Sequence, residues 1–420
     1  MEKFVINGGN KLYGEVEVQS AKNSVLPLIA ASIMRKGKTY LKKCPKLSDV
    51  LVMASIIEEL GGSAKFIGDT LELDCTDLNR HDLPKNLTAK IRASLFMVGA
   101  LLTRFKKTSI SSPGGCDIGD RPIDIHINSL RDLGVKVDEG EVVEFSERNN
   151  RSAKTRLAYK SVGATENLIM ASVQRKGVTV IENSAKEPEI VDLANFLNLT
   201  GARISGAGSD VITVEGVEKL WDGELLFEPV ADRIEVGTFL LAGVICGGEL
   251  GVKGNGFENL SALTKIIENN ACKIYKNNGK IDYIKFYGVY GGFGKVIVDP
   301  YPCFPTDLQP QLVSAATFAK GITVVEERVF KKRFNYVCQL RKTGADVSVF
   351  DNACVVVGKE NLTGAVMTAQ DLRGGASLIL QALGAKGTSE VLSCEHIDRG
   401  YFKIEDKLRA LGADIKRIDY

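Results

Sequence analysis

The sequence carries little net charge. Its 54 Lys and Arg nearly balance 52 Asp and Glu, leaving +2 over 420 residues. That excludes the global basic field that draws a protein to nucleic acid or an anionic membrane, though not a local basic cluster. Histidine is scarce: His81, His126 and His396 are scattered and form no HxxxH or HExxH set, so no metal motif stands out. Nine cysteines occur, but the count is odd, the spacing irregular and CxxC absent. This pattern speaks against a disulfide framework and a structural zinc site, and most thiols are expected as small apolar residues in a reducing compartment. Long apolar runs are missing too. Phe239 to Cys246 is the best candidate and falls far short of the roughly 18 residues of a membrane span. The start, MEKFVINGGNKLYGEVEV, has no apolar stretch and does not read as a signal peptide. Nucleotide loops of the GxxxxGK[ST] and GxGxxG types are absent, and GGFGK (Gly291 to Lys295) is too short for the first. These absences leave a cytoplasmic α/β protein of two or three domains with no cofactor or metal signature.

What is present is one unit written six times. The ends of successive amphipathic helices read IIEELGGSA, LRDLGVKV, FLNLTGARI, IIENNACKI, LRKTGADV and LRALGADI. Their turns fall at Gly61, Gly134, Gly201, Ala271, Gly344 and Gly412, a period of about 70 residues. GDRPIDIHINSLRDLG (Gly119 to Gly134) aligns without a gap on IDRGYFKIEDKLRALG (Ile397 to Gly412), placing Asp120-Arg121 on Asp398-Arg399. The first helix of each unit, as in SVLPLIAASIM, RIEVGTFLLAGVI and ASLILQALGA, is apolar nearly all round and is expected to be buried on every side. Strands such as GKTYLKK, GVTVIEN and GITVVEE follow. Three units closing around buried helices make one domain, and six make two.

The starts of these buried helices carry a pattern: Lys22-Asn23, Arg92, Ser161 to Thr165, Asp232-Arg233, Asp307, and Asp371 with Arg373. Free N–H groups and the helix dipole favour anions there. Cations beside them oppose the dipole unless an anion is bound, so a cation-rich, carboxylate-poor anion site is expected. Asp232 and Asp307 fit either a helix cap or a base. His126 and His396 each lie near an Asp-Arg pair, where a satisfied core histidine is the commoner outcome.

Several strings resemble one family. QSAKNSVLPL, SPGGCDIGDRPIDIHI, SVGATEN, EPEIVDLANFLN, ADRIEVGTFLLA, FPTDLQPQ and HIDRGYFKIEDKLRALGA, spread over the whole chain in order, are similar to the UDP-N-acetylglucosamine 1-carboxyvinyltransferases of the EPSP synthase superfamily. The resemblance implies a two-domain inside-out α/β barrel, three repeats per domain, with helices inside and sheets outside. One domain would span 22–229 and carry the Cys116 loop. The other would combine 1–21 with 230–420, and substrates would enter the cleft between them. The implied reaction moves enolpyruvate from phosphoenolpyruvate to the 3-hydroxyl of UDP-N-acetylglucosamine without a metal, opening peptidoglycan synthesis and so serving cell shape and division. The antibiotic fosfomycin would target Cys116.

By the same resemblance, Cys116 is the proton donor and Asp307 the base or orienter of the sugar hydroxyl. Lys22, Asn23, Arg121, Arg373 and Arg399 meet phosphoenolpyruvate, with Lys22 and Arg399 also counted as catalytic. Arg92 and Arg373 hold phosphate charge as it leaves. Arg92, Arg121, Pro122, Ile123, Asp124, Ile125, Ser161, Val162, Gly163, Asp307 and Val329 meet the nucleotide sugar. Arg333 and Asp371 map to positions tied to closure and the intermediate. Lys160, Cys303 and Lys332 depart from common family residues. Two other readings stay open: transfer to shikimate 3-phosphate, which the cysteine loop disfavours, and a non-catalytic paralogue that binds a nucleotide sugar.

Overall fold

A computed structural model describes residues 2–111, 123–253, 255–277, 281–287 and 291–419. The expected site residues Cys116, Arg121 and Pro122 lie outside the described residues, as does the rest of SPGGCDIGDRP. The described residues divide into two compact units. One, here the Lys22 unit, comprises 19–111 and 123–230. The other, the Asp307 unit, comprises 2–18 and 231–419. Both are α/β, with helices enclosed by sheets, and six sheets form among the described residues.

The centre of the Lys22 unit is built from the helices Lys22–Ser32, Phe96–Phe105 and Val162–Ser172. Ten of the 11 residues of the first are buried, only Asn23 reaching the surface. Two of these helices meet at Gly99. Its N–H donates to Asn167 Oδ1 (2.8 Å), and a Cβ there would stand 2.4 Å from the Asn167 carbonyl oxygen. Asn167 Nδ2 donates in turn to the Leu95 carbonyl (2.8 Å), so a buried amide locks the crossing. Around the helices stand sheets led by Lys38–Leu41, Lys107–Ser111 and Val178–Glu182. Lys38–Leu41 pairs in parallel with Leu225–Phe227, and Val178–Glu182 with Ala153–Arg156. In the middle sheet only a parallel bridge, Asp82 to Ser109, marks the equivalent place. Each parallel strand comes from the repeat before, and the last of them returns to the first sheet, so the three repeats close on one another.

The Asp307 unit repeats the plan with Arg233–Cys246, Gln309–Thr317 and Leu372–Gly384. Gln381 is its buried lock: Oε1 accepts from Ser314 (3.0 Å) and Thr317 (3.1 Å), and Nε2 donates to Thr343 (2.9 Å). The chain start completes two of its sheets. Glu2–Asn7 lies antiparallel between Thr388–Leu392 and Asp414–Asp419, and Leu12–Glu17 runs parallel to Gly248–Lys253.

The repeat period has a conformational cause. Gly61, Gly134, Gly201, Gly344 and Gly412 end the second helices at φ of 97°, 81°, 94°, 87° and 99°, a left-handed turn that frees the last carbonyls for capping. Ala271 departs: it takes φ −146° instead, because a Cβ disfavours that turn. The buried thiols behave as apolar filling; burial pushes Cys75, Cys272, Cys354 and Cys394 up to about 12. No helix among the described residues is long and apolar enough to cross a membrane.

Candidate active site

In the Asp307 unit, FPTDLQP folds as an extended Pro305, a short turn Thr306–Leu308, and a helix with Pro310 in its first turn, where a missing N–H costs nothing. Asp307 caps neither element. Its carboxylate instead accepts from two arginines: Arg373 Nη2 at Oδ2 (3.1 Å) and Arg333 Nη2 at Oδ1 (3.2 Å). Their side chains are 4% and 3% exposed, that of Asp307 29%. Lost hydration pushes the Asp307 carboxyl up, but Arg373, Arg333 and Arg233 outweigh it and hold the group well below the usual carboxylate range. Asp232 and Asp371, by contrast, are caps. Asp232 accepts from the N–H groups of Ile234 (2.8 Å) and Glu235 (3.1 Å), Asp371 from those of Arg373 and Gly374 (3.0 Å each).

Arg373 is the least satisfied group of this set. Its guanidinium sits beside Asp307 and over the ring of Tyr401, 5.4 Å from the centroid. Nε and Nη1 are buried and have no hydrogen-bond partner among the described residues. A buried, always-charged fork with two such donors has the chemistry to receive an anion. Arg333 also reaches the Thr306 carbonyl (3.2 Å) and stands 3.7 Å from Asp371. Arg399 is half-buried in the turn after Cys394–His396. That turn is seated on the start of the Arg373 helix, since a Cβ at Gly400 would come within 2.7 Å of Leu372. Asp398, one residue earlier, is held by Arg417 at 2.6 and 2.9 Å. Val329 is half-buried, its N–H donating to Glu327 (2.7 Å).

In the Lys22 unit, Lys22 opens its helix and pairs with Asp49 at 2.7 Å, both side chains under a tenth exposed. Arg92 begins the turn Arg92–Leu95 and is half-buried. It stands near His126, whose pKa burial first and the Arg92 charge second push down to about 4. That imidazole is a neutral core residue with Nδ1 against Asn167 (2.9 Å). Ser161 caps its helix, accepting from Ala164 N–H (3.3 Å). Val162 and Gly163 follow, half-buried, and a Cβ on Gly163 would touch Phe96 and His126 at 3.2 and 3.3 Å. Ile123 and Ile125 are half-buried and Asp124 exposed at the start of Asp124–Asp132. Lys160 pairs with Asp210, which also takes Lys186 (2.7 Å). Cys303 and Lys332 are exposed in their own unit.

The Lys22 unit also buries several carboxylates. Asp49, Glu166, Glu187, Glu189 and Asp192 are all buried there. Asp49 and Glu189 sit in first turns of second helices, where the dipole favours acids. EPEIVDL carried that signal, which attention to the first helices alone passes over. Burial, with Glu189 and Glu187 nearby, raises the Glu166 carboxyl well above its ordinary range, and neither of its oxygens has a hydrogen-bond partner among the described residues. Asp192 is pushed up to about 6, chiefly by burial, against hydrogen bonds from Ser24 and Val230.

A family model described as EPSP synthase (3-phosphoshikimate 1-carboxyvinyltransferase) matches residues 6–408. A protein of Caldanaerobacter subterraneus subsp. tengcongensis named UDP-N-acetylglucosamine 1-carboxyvinyltransferase 2 is 45% identical, over 100% of both chains. A Trichlorobacter lovleyi protein named UDP-N-acetylglucosamine 1-carboxyvinyltransferase is 39% identical over 100% of this chain and 99% of its own. Among solved structures, the enolpyruvyl transferase NikO from Streptomyces tendae superposes with a TM-score of 0.88 at 23% identity, covering 99% of this chain and 98% of that one. EPSP synthase from Acinetobacter baumannii gives 0.75 at 15% identity over 100% of both. At such identities the superpositions speak for the fold.

Proposed function

The chain belongs to the EPSP synthase family of carboxyvinyltransferases, and from that premise we propose that it transfers the enolpyruvyl group of phosphoenolpyruvate to the 3-hydroxyl of UDP-N-acetylglucosamine. One observation carries this reading: end-to-end identity of 39–45% with chains named for that acceptor. Shikimate 3-phosphate is supported as acceptor only by the description of the family model and by fold similarity at 15% identity. The product feeds peptidoglycan synthesis, and we place the enzyme in the cytoplasm.

The sugar oxygen adds to C2 of phosphoenolpyruvate as the 3-hydroxyl gives up its proton to Asp307, while C3 takes a proton. Loss of a C3 proton and of phosphate from that adduct then leaves the enolpyruvyl ether. Cys116 is the acid that protonates C3, a role open to a thiol because its ordinary pKa near 8.5 keeps it mostly protonated at neutral pH. Lys22, Asn23, Arg121 and Arg399 hold phosphoenolpyruvate, Arg92 and Arg373 the phosphate as it leaves. The idle donors of Arg373 support its part in this. Ser161, Val162, Gly163, Arg121 to Ile125 and Val329 meet the nucleotide sugar.

Asp307 orients the 3-hydroxyl. Held by two arginines, its carboxylate is a poor base as it stands. Drawing Arg373 onto phosphate would restore its basicity, coupling donor binding to activation of the acceptor.

The experiment is phosphate release from phosphoenolpyruvate with UDP-N-acetylglucosamine or shikimate 3-phosphate as acceptor. Release with the nucleotide sugar alone is expected. Release with shikimate 3-phosphate alone would move the chain to the sister reaction, and release with neither would leave a binding protein.

A further inference from the structure

We propose that Tyr401 is a positioning residue that aims the Arg373 guanidinium at the phosphate of phosphoenolpyruvate. The inference rests on the reading of Arg373 given above and adds the group that sets its direction.

An arginine side chain has many rotamers, and a buried anion site needs one of them. The Asp307 carboxylate holds Arg373 through Nη2 alone, by a single bond of 3.1 Å. A single bond leaves the plane of the guanidinium free to turn about it. Tyr401 removes that freedom. It is 1% exposed, and its ring lies 5.4 Å from the Arg373 Cζ, within the range of a cation–π contact. Desolvation strengthens such a contact, and here both partners are buried.

The ring is itself held at its far end. Thr238 Oγ1 donates to the Ile234 carbonyl (2.8 Å), so toward Tyr401, 2.8 Å away, it can only accept. The tyrosine hydroxyl therefore donates to Thr238 and accepts from Gln311 Nε2 (3.0 Å). Thr238 lies on Arg233–Cys246 and Gln311 on Gln309–Thr317. Arg373 lies on the third core helix, Leu372–Gly384. Tyr401 thus ties all three core helices of its unit to the orientation of one guanidinium. The hydroxyl has both its hydrogen and an acceptor site committed, which suits a strut better than a proton donor.

Steady-state kinetics on the full chain test this, with melting temperature as a folding control. Tyr401→Leu is expected to raise KM for phosphoenolpyruvate about tenfold while KM for UDP-N-acetylglucosamine stays within about twofold. Tyr401→Phe keeps the ring and loses its anchor, so the same selective rise is expected at smaller size. Arg373→Lys combined with Tyr401→Leu should be little worse than Arg373→Lys alone, because the tyrosine acts through the arginine. Equal rises in both KM values, or full additivity in the double variant, would overturn the proposal. Should Tyr401→Leu fail to fold, Thr238→Val removes the hydroxyl's acceptor without touching the ring, and unchanged KM for phosphoenolpyruvate in both it and Tyr401→Phe would overturn it equally. If Arg373→Lys leaves KM for phosphoenolpyruvate unchanged, the reading of Arg373 fails, and the proposal that depends on it fails with it.

Discussion

Arg373 Nη2 donates to Asp307 Oδ2 across 3.1 Å, joining residues 66 apart in sequence. The bond makes one group of two that sequence presents separately, an arginine and a carboxylate. Together with Arg333 it keeps Asp307 ionised and weakly basic. Asp307→Ala should therefore have two effects. Turnover should fall by roughly 10²–10⁴-fold with UDP-N-acetylglucosamine binding still measurable by calorimetry. Stability at pH 7 should fall by roughly 1–3 kcal/mol, below the figure for a fully buried pair because part of the carboxylate is open. The sign with pH is fixed. The folded pKa is depressed, so the wild type holds this stability above the ordinary aspartate pKa and loses it as pH falls toward the depressed value. Urea melts of both proteins should converge in acid, and near-normal turnover in the variant would remove Asp307 from the mechanism.

Cys116→Ser should lose most turnover, since a serine hydroxyl is far too weak an acid to replace a thiol in protonating C3. The same variant should resist covalent labelling by fosfomycin, read by intact mass. Phosphate release at the wild-type rate would show that C3 takes its proton from elsewhere.

Much of the architecture was legible because it rests on local rules repeated six times. A glycine that must turn left-handed ends a helix wherever it stands, and Gly61, Gly134, Gly201, Gly344 and Gly412 mark the period for that reason. Helices apolar on every side announce their own burial, as Lys22–Ser32 does. The site was less legible, because it depends on partners far apart in the chain. Asp232 and Asp307 look alike in sequence, each just ahead of a buried helix. Only the arrival of Arg333 and Arg373 separates the ion-paired Asp307 from the cap at Asp232. Tyr401 stood inside HIDRGYFKIEDKL, but nothing local tells that its ring faces Arg373. Of the buried acids of the Lys22 unit, Asp49, Glu189 and Asp192 belong to second helices and Glu166 to the central helix Val162–Ser172, so their mutual approach is a matter of packing between helices.

Gly99→Ala should destabilise the Lys22 unit. The new methyl group would meet the Asn167 backbone oxygen at 2.4 Å and its side-chain oxygen at 2.9 Å. Backbone cannot yield as a flexible side chain can, so the helices must part, at a cost of roughly 1–3 kcal/mol. Denaturant midpoints measure it, and an unchanged midpoint would mean that the two helices can part at no cost.

Glu166 gives the opposite pH dependence to Asp307. Burial beside Glu189 and Glu187 raises its folded pKa, so the native protein keeps a proton there that the unfolded chain releases. Between the ordinary glutamate pKa and the raised value, the native state binds more protons than the unfolded one, and stability falls as pH rises. Glu166→Gln has the shape of the protonated acid and no proton to lose. The variant should match the wild type below the ordinary glutamate pKa and become the more stable of the two toward neutral pH. Denaturant melts from pH 4 to 8 would show the gap opening as pH rises. A variant less stable than wild type at pH 7 would mean that Glu166 is ionised in the folded protein, held by a positive charge that Gln cannot satisfy.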